Sequence, residues 1–448
     1  VFKKNLTRFA PVMAVYTLCL ILGMMMLYQN NEEMGRTFWF ASRMGECIQI
    51  MGLVNLFFAP LCAMLLFGDL YNSRMCNALH AMPMRRETLF LTNVVSGLLF
   101  SMIPTAVMAL LSVPLLNATI VENAWQLALL WYVGTNLQFI TFFGAAIFSV
   151  FCTGNRFAMA VVYAVLNGGA FILYYIINTL YTPMLFGVVT PDRWVSLLTP
   201  VADMTNGAYV AIEDFHQLSL RFYGRESEMV AAFSVDGEKF TSLLIYAAVG
   251  IALLALVWWL YQKRPSESAG DAMAFRWLRP IARWSIGLCG GLGLGLFLRY
   301  TAFIDGGFAC LLICQLVMGV ICFFAAQMLL QKKFRIFNKR WWLETAAMVL
   351  VLAAVTVCVK LDITGYQHRV PDAEDVTSVR FSASYADFTA DDPAAVESVI
   401  SLHRAILEQY DETGERLENQ TYLDTEGGPI TRYVRVDYQL RNGTSLCR

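Results

Sequence analysis

Charge is what this 448-residue chain has least of. Asp, Glu, Lys and Arg make up 15% of it and hydrophobic residues 57%, whereas a soluble domain carries roughly a quarter charged residues. That imbalance excludes an ordinary soluble fold and points to a bilayer. A net charge of −1 leaves no basic excess for nucleic acid. The four histidines are widely separated and give no zinc spacing. Eleven cysteines include no CxxC pair, and most lie inside apolar runs. They read as small packing residues rather than a metal site. Catalytic signatures are missing as well: no GxxxxGK[ST] phosphate loop, no GxSxG, no HExxH. The stretch "CGGLGLGLFLRY" at 289–300 is rich in glycine but has no following lysine. Its glycines suit close helix approach within an apolar run.

What is present is a series of long apolar runs. A spanning helix needs about 20 such residues, and nine runs qualify: 10–28, 48–68, 89–113, 125–151, 157–180, 241–261, 284–300, 306–330 and 342–360. The short connections alternate in charge. Segments 1–9, 69–88, 152–156, 262–283 and 331–341 hold 17 lysines and arginines, including Arg85, Arg86 and Arg283. Loops 29–47, 114–124 and 301–305 hold only Arg36 and Arg43. The positive-inside rule then sets the N-terminus in the cytoplasm and the C-terminus outside. The first run is long enough to span and lacks a small-residue cleavage site, so it reads as a span and not a signal peptide. The chain opens on Val1 and closes on Arg448 within a strand-like pattern, so it reads as a portion of a longer protein.

Two polar pieces interrupt this pattern. Loop 181–240 lies outside and contains "VTPDRWVSLLTPVADM", whose Trp194, Leu197 and Leu198 suit the membrane interface. The chain from 361 to 448 changes composition sharply. "DDPAAVESVISLHRAILEQ" reads as a capped amphipathic helix with Val396, Val399, Ile400, His403, Ile406 and Leu407 on one face. "TSVRFSAS" and "RYVRVDYQL" alternate as strands do, and Asn442-Gly443 marks a hairpin turn. The expected architecture is an α-helical polytopic membrane protein with about nine transmembrane helices and a small extracellular α/β domain at the C-terminus. Its divisions are 1–262, a six-span core; 263–360, a linker with three further spans; and 361–448, the α/β domain.

The spans contain almost no ionisable groups, which argues against a proton- or ion-coupled secondary transporter. Uncharged polar residues do occur there: Asn93, Asn136, Gln138 and Asn167 either bond helix to helix or line a substrate path. With neither an ATPase motif nor buried charge, the chain takes its energy from a partner or needs none. That directs attention to 69–88, about 20 residues where a helix connection needs only about 2–8. "DLYNSRMCNALHAMPMRRET" can form a short helix over 70–82, with Leu70, Met75, Ala78, Leu79 and Met82 as a partial apolar face. Pro83 ends it, Arg85 and Arg86 anchor the next span, and Glu87 suits that span's positive first turn. The bland alternative is a plain polar connector.

Segment 66–98, "LFGDLYNSRMCNALHAMPMRRETLFLTNVVSGL", resembles the first cytoplasmic loop of type-2 ATP-binding-cassette (ABC) exporter permeases. The matching positions are Tyr71, Arg74, Leu79, Met82, Pro83, Arg86, Leu89, Phe90, Asn93 and Gly97. "LLTPVADM" at 197–204 resembles the outer loop before that family's sixth span. The resemblance covers about the first 262 residues and looks closest to a Gram-positive bacterial branch with extra spans and an extracellular domain. It implies that 70–82, with His80 near its end, is a coupling helix seated on a separate ATPase subunit. ATP and Mg would be bound by that partner, with no cofactor in this chain. A second permease, identical or homologous, would complete the pathway, surrounded by membrane lipid. Export of an amphipathic substrate, a peptide antibiotic, lipid or drug, is the implied function. A membrane sensor reading ligands through the C-terminal domain is the alternative.

Overall fold

The computed structural model describes residues 5, 7–27, 36–81, 85–117, 124–181, 184, 185, 187, 198–205, 210–212, 233–235, 237–264, 269–303, 307–333, 339–363, 365–383, 386–413, 422–423, 429–430, 434–441 and 445–447. Long helices dominate: α1 (Ala10–Leu27), α2 (Arg36–Leu66), a short α3 (Ser73–His80), α4 (Arg86–Asn117), α5 (Ala124–Cys152) and α6 (Arg156–Tyr181). They are followed by α7 (Pro200–Thr205), the strand pair β1 (Val210–Ile212) and β2 (Phe233–Val235), and then α8 (Gly237–Lys263), α9 (Leu278–Ala302), α10 (Phe308–Gln331) and α11 (Lys339–Lys360). Helices are what hydrocarbon demands, because each backbone polar group must bond within its own segment. Even Pro60, Pro104 and Pro114 sit inside helices.

Eight of these helices are long and apolar enough to cross a membrane, which makes the chain a helical multi-pass membrane protein. The expected ninth, α1, is shorter: its apolar stretch is Ala10–Gly23 among the described residues.

The chain divides into two compact units, Val1–Phe171 with Val195–Ala282, and Ile172–Trp194 with Arg283–Arg448. In the first, α5 is the most buried of the spans. It meets α8 backbone to backbone: a Cβ on Gly144 would lie 2.4 Å from the Gly250 carbonyl oxygen, and one on Gly250 would lie 2.7 Å from that of Ile140. Aromatic packing fills the middle, with Tyr16 stacked on Phe58 at 4.0 Å and Phe139 on Phe143 at 5.2 Å.

In the second unit α9 and α10 also pack through glycine. A Cβ on Gly295 would lie 2.5 Å from Cα of Gln315, and one on Gly291 would lie 2.9 Å from Cα of Gly319. Two polar layers cross this bundle. Thr356 donates to Gln315 at 2.8 Å. Arg283 donates to Gln327 at 2.8 Å and forms an ion pair with Glu344. Arg283 corrects the expectation that it belongs to loop 262–283, because α9 begins at Leu278 and carries Arg283 buried. Its charge is met by residues that arrive from α10 and α11.

The C-terminal residues form β3 (Val376–Ala383), β4 (Ala386–Ala390), α12 (Pro393–Thr413), β5 (Tyr422–Leu423), β6 (Pro429–Ile430), β7 (Val434–Leu440) and β8 (Ser445–Cys447). β4, β3, β7 and β8 make an antiparallel sheet in that order, with Val379 opposite Tyr438. Val396, Val399 and Ile400 of α12 pack on Val376, Val379, Val436 and Tyr438. His403 reaches the same core, its Nδ1 3.1 Å from the Tyr438 hydroxyl. The Asn442-Gly443 turn lies outside the described residues.

Candidate functional site

The polar segment between α2 and α4 does not form one helix over 70–82. Residues Gly68–Tyr71 make a 3-10 turn, and α3 starts only at Ser73. Asn72 separates the two. Its side-chain oxygen accepts from the Arg74 N–H at 3.0 Å and its carbonyl from the Cys76 N–H at 2.8 Å, the bonds of an N-cap. Tyr71 therefore closes the turn and is not on the helix. Of the expected face, Leu70 enters the bundle core as expected, but Met75 is 47% exposed and Cys76 is buried in its place. Arg74 is exposed beside it, as are Arg85 and Arg86 at the start of α4. The side chains of Leu79 and His80, and all of Met82 and Pro83, lie outside what the structure describes.

Beneath the turn is an aromatic cluster that ties four helix ends together. Phe151, in the last turn of α5, has Phe67 at 5.3 Å, Phe90 of α4 at 5.9 Å and Tyr261 of α8 at 5.2 Å, all edge-on. The guanidinium of Arg264, just past α8, lies 5.6 Å from the Phe151 ring. Arg264 is buried and donates to the carbonyls of Val150 at 3.0 Å and Thr153 at 2.9 Å. Carbonyls in a helix's last turn lack intrahelical partners, and that end of the dipole is negative, so a cation fits there. Burial lowers the Arg264 pKa from its ordinary value. Tyr71 is enclosed nearby: burial pushes its phenol up to about 12, against the pull of Thr153, Arg264 and Arg156. Its hydroxyl makes no well-formed hydrogen bond among the described residues.

The stretch after Arg264 folds back on the α5–α6 turn. Gly154 N–H donates to the Asp271 carbonyl at 2.9 Å, Gly270 N–H to the Gly154 carbonyl at 2.7 Å, and Ala274 N–H to the Cys152 carbonyl at 2.9 Å. Arg279 pairs with Asp271 at 3.0 Å. Gln262 donates to Glu87 at 3.1 Å, joining the end of α8 to the start of α4.

The polar span residues are all buried. Asn93 accepts from Asn5 at 2.8 Å and donates to the Leu66 carbonyl at 3.2 Å. Asn136 links α5 to α4, accepting from Ser101 at 3.2 Å and donating to Thr105 at 3.0 Å. Gln138 donates to the Ile48 carbonyl at 2.9 Å, while its own side-chain oxygen has no partner among the described residues. Asn167 donates within its own helix, to the Tyr163 carbonyl at 2.8 Å.

Sequence reasoning passed over three polar groups. Asn55 bridges α1 and α5, accepting from Tyr16 at 2.9 Å and donating to the Thr135 carbonyl at 3.0 Å. Asp203 of α7 is buried, accepts from Ser242 at 2.7 Å and pairs with Lys239 at 3.4 Å. Arg264 was legible only as one of several loop cations. The available signal was an arginine directly abutting an apolar run, but nothing local says that it turns inward.

No family model, no curated protein and no solved structure matches this chain.

Proposed function

We propose that the chain is the permease subunit of an ABC exporter, with α3 as the helix through which a separate ATPase drives it. The observation that carries this reading is the construction of α3. It is a short capped helix between two spanning helices, pinned on its inner side by Cys76 and, through the preceding turn, by Leu70, with Arg74 and Met75 turned outward. A plain connector needs no such anchor. The basic residues that flank the spans favour a cytoplasmic position for α3 and an extracellular one for the C-terminal domain. ATP and Mg belong to the ATPase subunit. A second permease, identical or homologous, completes the pathway, and the substrate class is amphipathic: a peptide antibiotic, a lipid or a drug.

The test is co-expression with an ABC ATPase encoded beside this gene, followed by purification through a tag on the permease. The expected result is a complex that hydrolyses ATP and that Arg74→Glu dissociates. A complex indifferent to Arg74→Glu removes α3 from the interface. Failure of any ATPase to co-purify removes the exporter reading itself. A sensor role is favoured by one observation, the separate core of the C-terminal sheet and α12. Under it, deleting 365–448 abolishes function while ATPase binding persists.

A further inference from the structure

Arg264 is an odd choice for a stabilising residue. Among the described residues it has no carboxylate partner, and its hydrogen bonds go to the carbonyls of Val150, in the last turn of α5, and of Thr153, just past it. Burying a charge is costly even when it is paired, and apolar replacements of buried ion pairs are often as stable. Helix ends can satisfy their last carbonyls with water or with a glycine turn. Stability alone therefore does not account for an arginine here. What the guanidinium does is geometric. Two donors of one rigid plane fix the last turn of α5, a constraint that the single point charge of lysine does not reproduce. The same plane lies over Phe151, on which Phe67 rests edge-on immediately before the 3-10 turn and α3. The turn after α5 is also held by backbone bonds, Gly154 N–H donating to the Asp271 carbonyl and Ala274 N–H to the Cys152 carbonyl. Side-chain and backbone bonds together hold the end of α5, and α5 is the most enclosed span of its unit.

We infer that Arg264 is a positioning residue that couples displacement of α3 to α5, through Phe67 and Phe151, so that a push on α3 moves the central helix rather than bending the turn. This rests on the exporter reading, since it needs an ATPase to push. It requires no substrate to be known.

Cys152, the last residue of α5, is buried and free, and its carbonyl accepts the Ala274 bond. It reports on the joint without any engineered label. The experiment uses the full chain in complex with its ATPase. N-ethylmaleimide labelling of Cys152 is followed by peptide mass spectrometry, with and without vanadate-trapped ATP. The wild-type complex is expected to change its Cys152 labelling rate by about fivefold or more on trapping, the lower end of ordinary coupling between sites. Arg264→Lys keeps the charge and is expected to lose this change while complex formation and melting temperature are retained. Phe151→Leu, which keeps the arginine bonds but removes the ring, is expected to lose it too. That second variant carries the test if Arg264→Lys fails to fold. If either folded variant changes its labelling as the wild type does, the inference is overturned and the exporter reading stands. If no ATPase co-purifies with the wild type, both fall.

Discussion

Gly144→Ala is the sharpest perturbation of the fold. The methyl would meet the Gly250 carbonyl oxygen at 2.4 Å, with the Gly250 carbonyl carbon and Cα both at 2.8 Å. All three are backbone atoms of α8, so no side chain can swing aside. Ordinary contact begins near 3.4 Å, so α5 and α8 must part by about 1 Å, which forfeits roughly a quarter to a half of the dispersion energy across the seam. Overpacking of this kind costs about 1–3 kcal/mol, and the rigid partner places it at the top of that span. Alanine's better helix propensity returns about 1 kcal/mol, leaving a net loss of about 2 kcal/mol. The matched control is Gly168→Ala on α6, where nothing lies within 4 Å and only the propensity gain remains. Reversible unfolding in mixed micelles, titrated with SDS, measures both. Gly144→Ala as stable as wild type, or Gly168→Ala equally damaging, refutes the close α5–α8 approach.

Other outcomes follow from named contacts. Lys239→Met is expected to destabilise by about 1–3 kcal/mol, because it strips the buried Asp203 of its cation. The double variant with Asp203→Asn should be milder than the sum of the singles, and additivity in the same titration would count against the pair. In the C-terminal domain, burial pushes the Cys447 thiol up to about 11. At pH 8 its iodoacetamide reaction should run about 100-fold slower than that of an unfolded-chain thiol, since the thiolate is the reactive form. The sign for stability is the same. The folded state holds this proton more tightly, so the contribution is full below the ordinary thiol pKa near 9 and is lost as pH rises toward 11. Rapid labelling at pH 8 would contradict it.

Most helix positions were legible because hydrocarbon leaves the chain little choice. The run expected at 157–180 is the helix Arg156–Tyr181, and that at 125–151 is Ala124–Cys152. The amphipathic face of α12 was legible from its period, since Val396, Val399 and Ile400 fall on one side at helical spacing. What local pattern cannot carry is pairing at a distance. Arg283 reads as a flanking cation until Gln327 and Glu344, far along the chain, meet it. Asp203 reads as a loop carboxylate until Lys239 and Ser242 arrive. In the candidate site, a polar segment that breaks a greasy chain was visible, but its division was not. Asn72 caps α3 with its side chain and leaves Tyr71 in a separate turn. The same division hid Cys76, because a face drawn for one helix over 70–82 does not apply once α3 starts at Ser73, and Cys76 rather than Met75 turns inward.

The central claim is that α3 touches an ATPase, and site-specific photo-crosslinking in living cells tests it most directly. A benzophenone amino acid replaces exposed Met75, and the control replaces Leu110, 73% exposed on the apolar helix α4. The account predicts a covalent adduct between position 75 and an ABC ATPase subunit, with no such adduct from position 110. An absence of that adduct at 75, or labelling of a Met75→Cys variant at that position by a membrane-impermeant maleimide added outside intact cells, contradicts it.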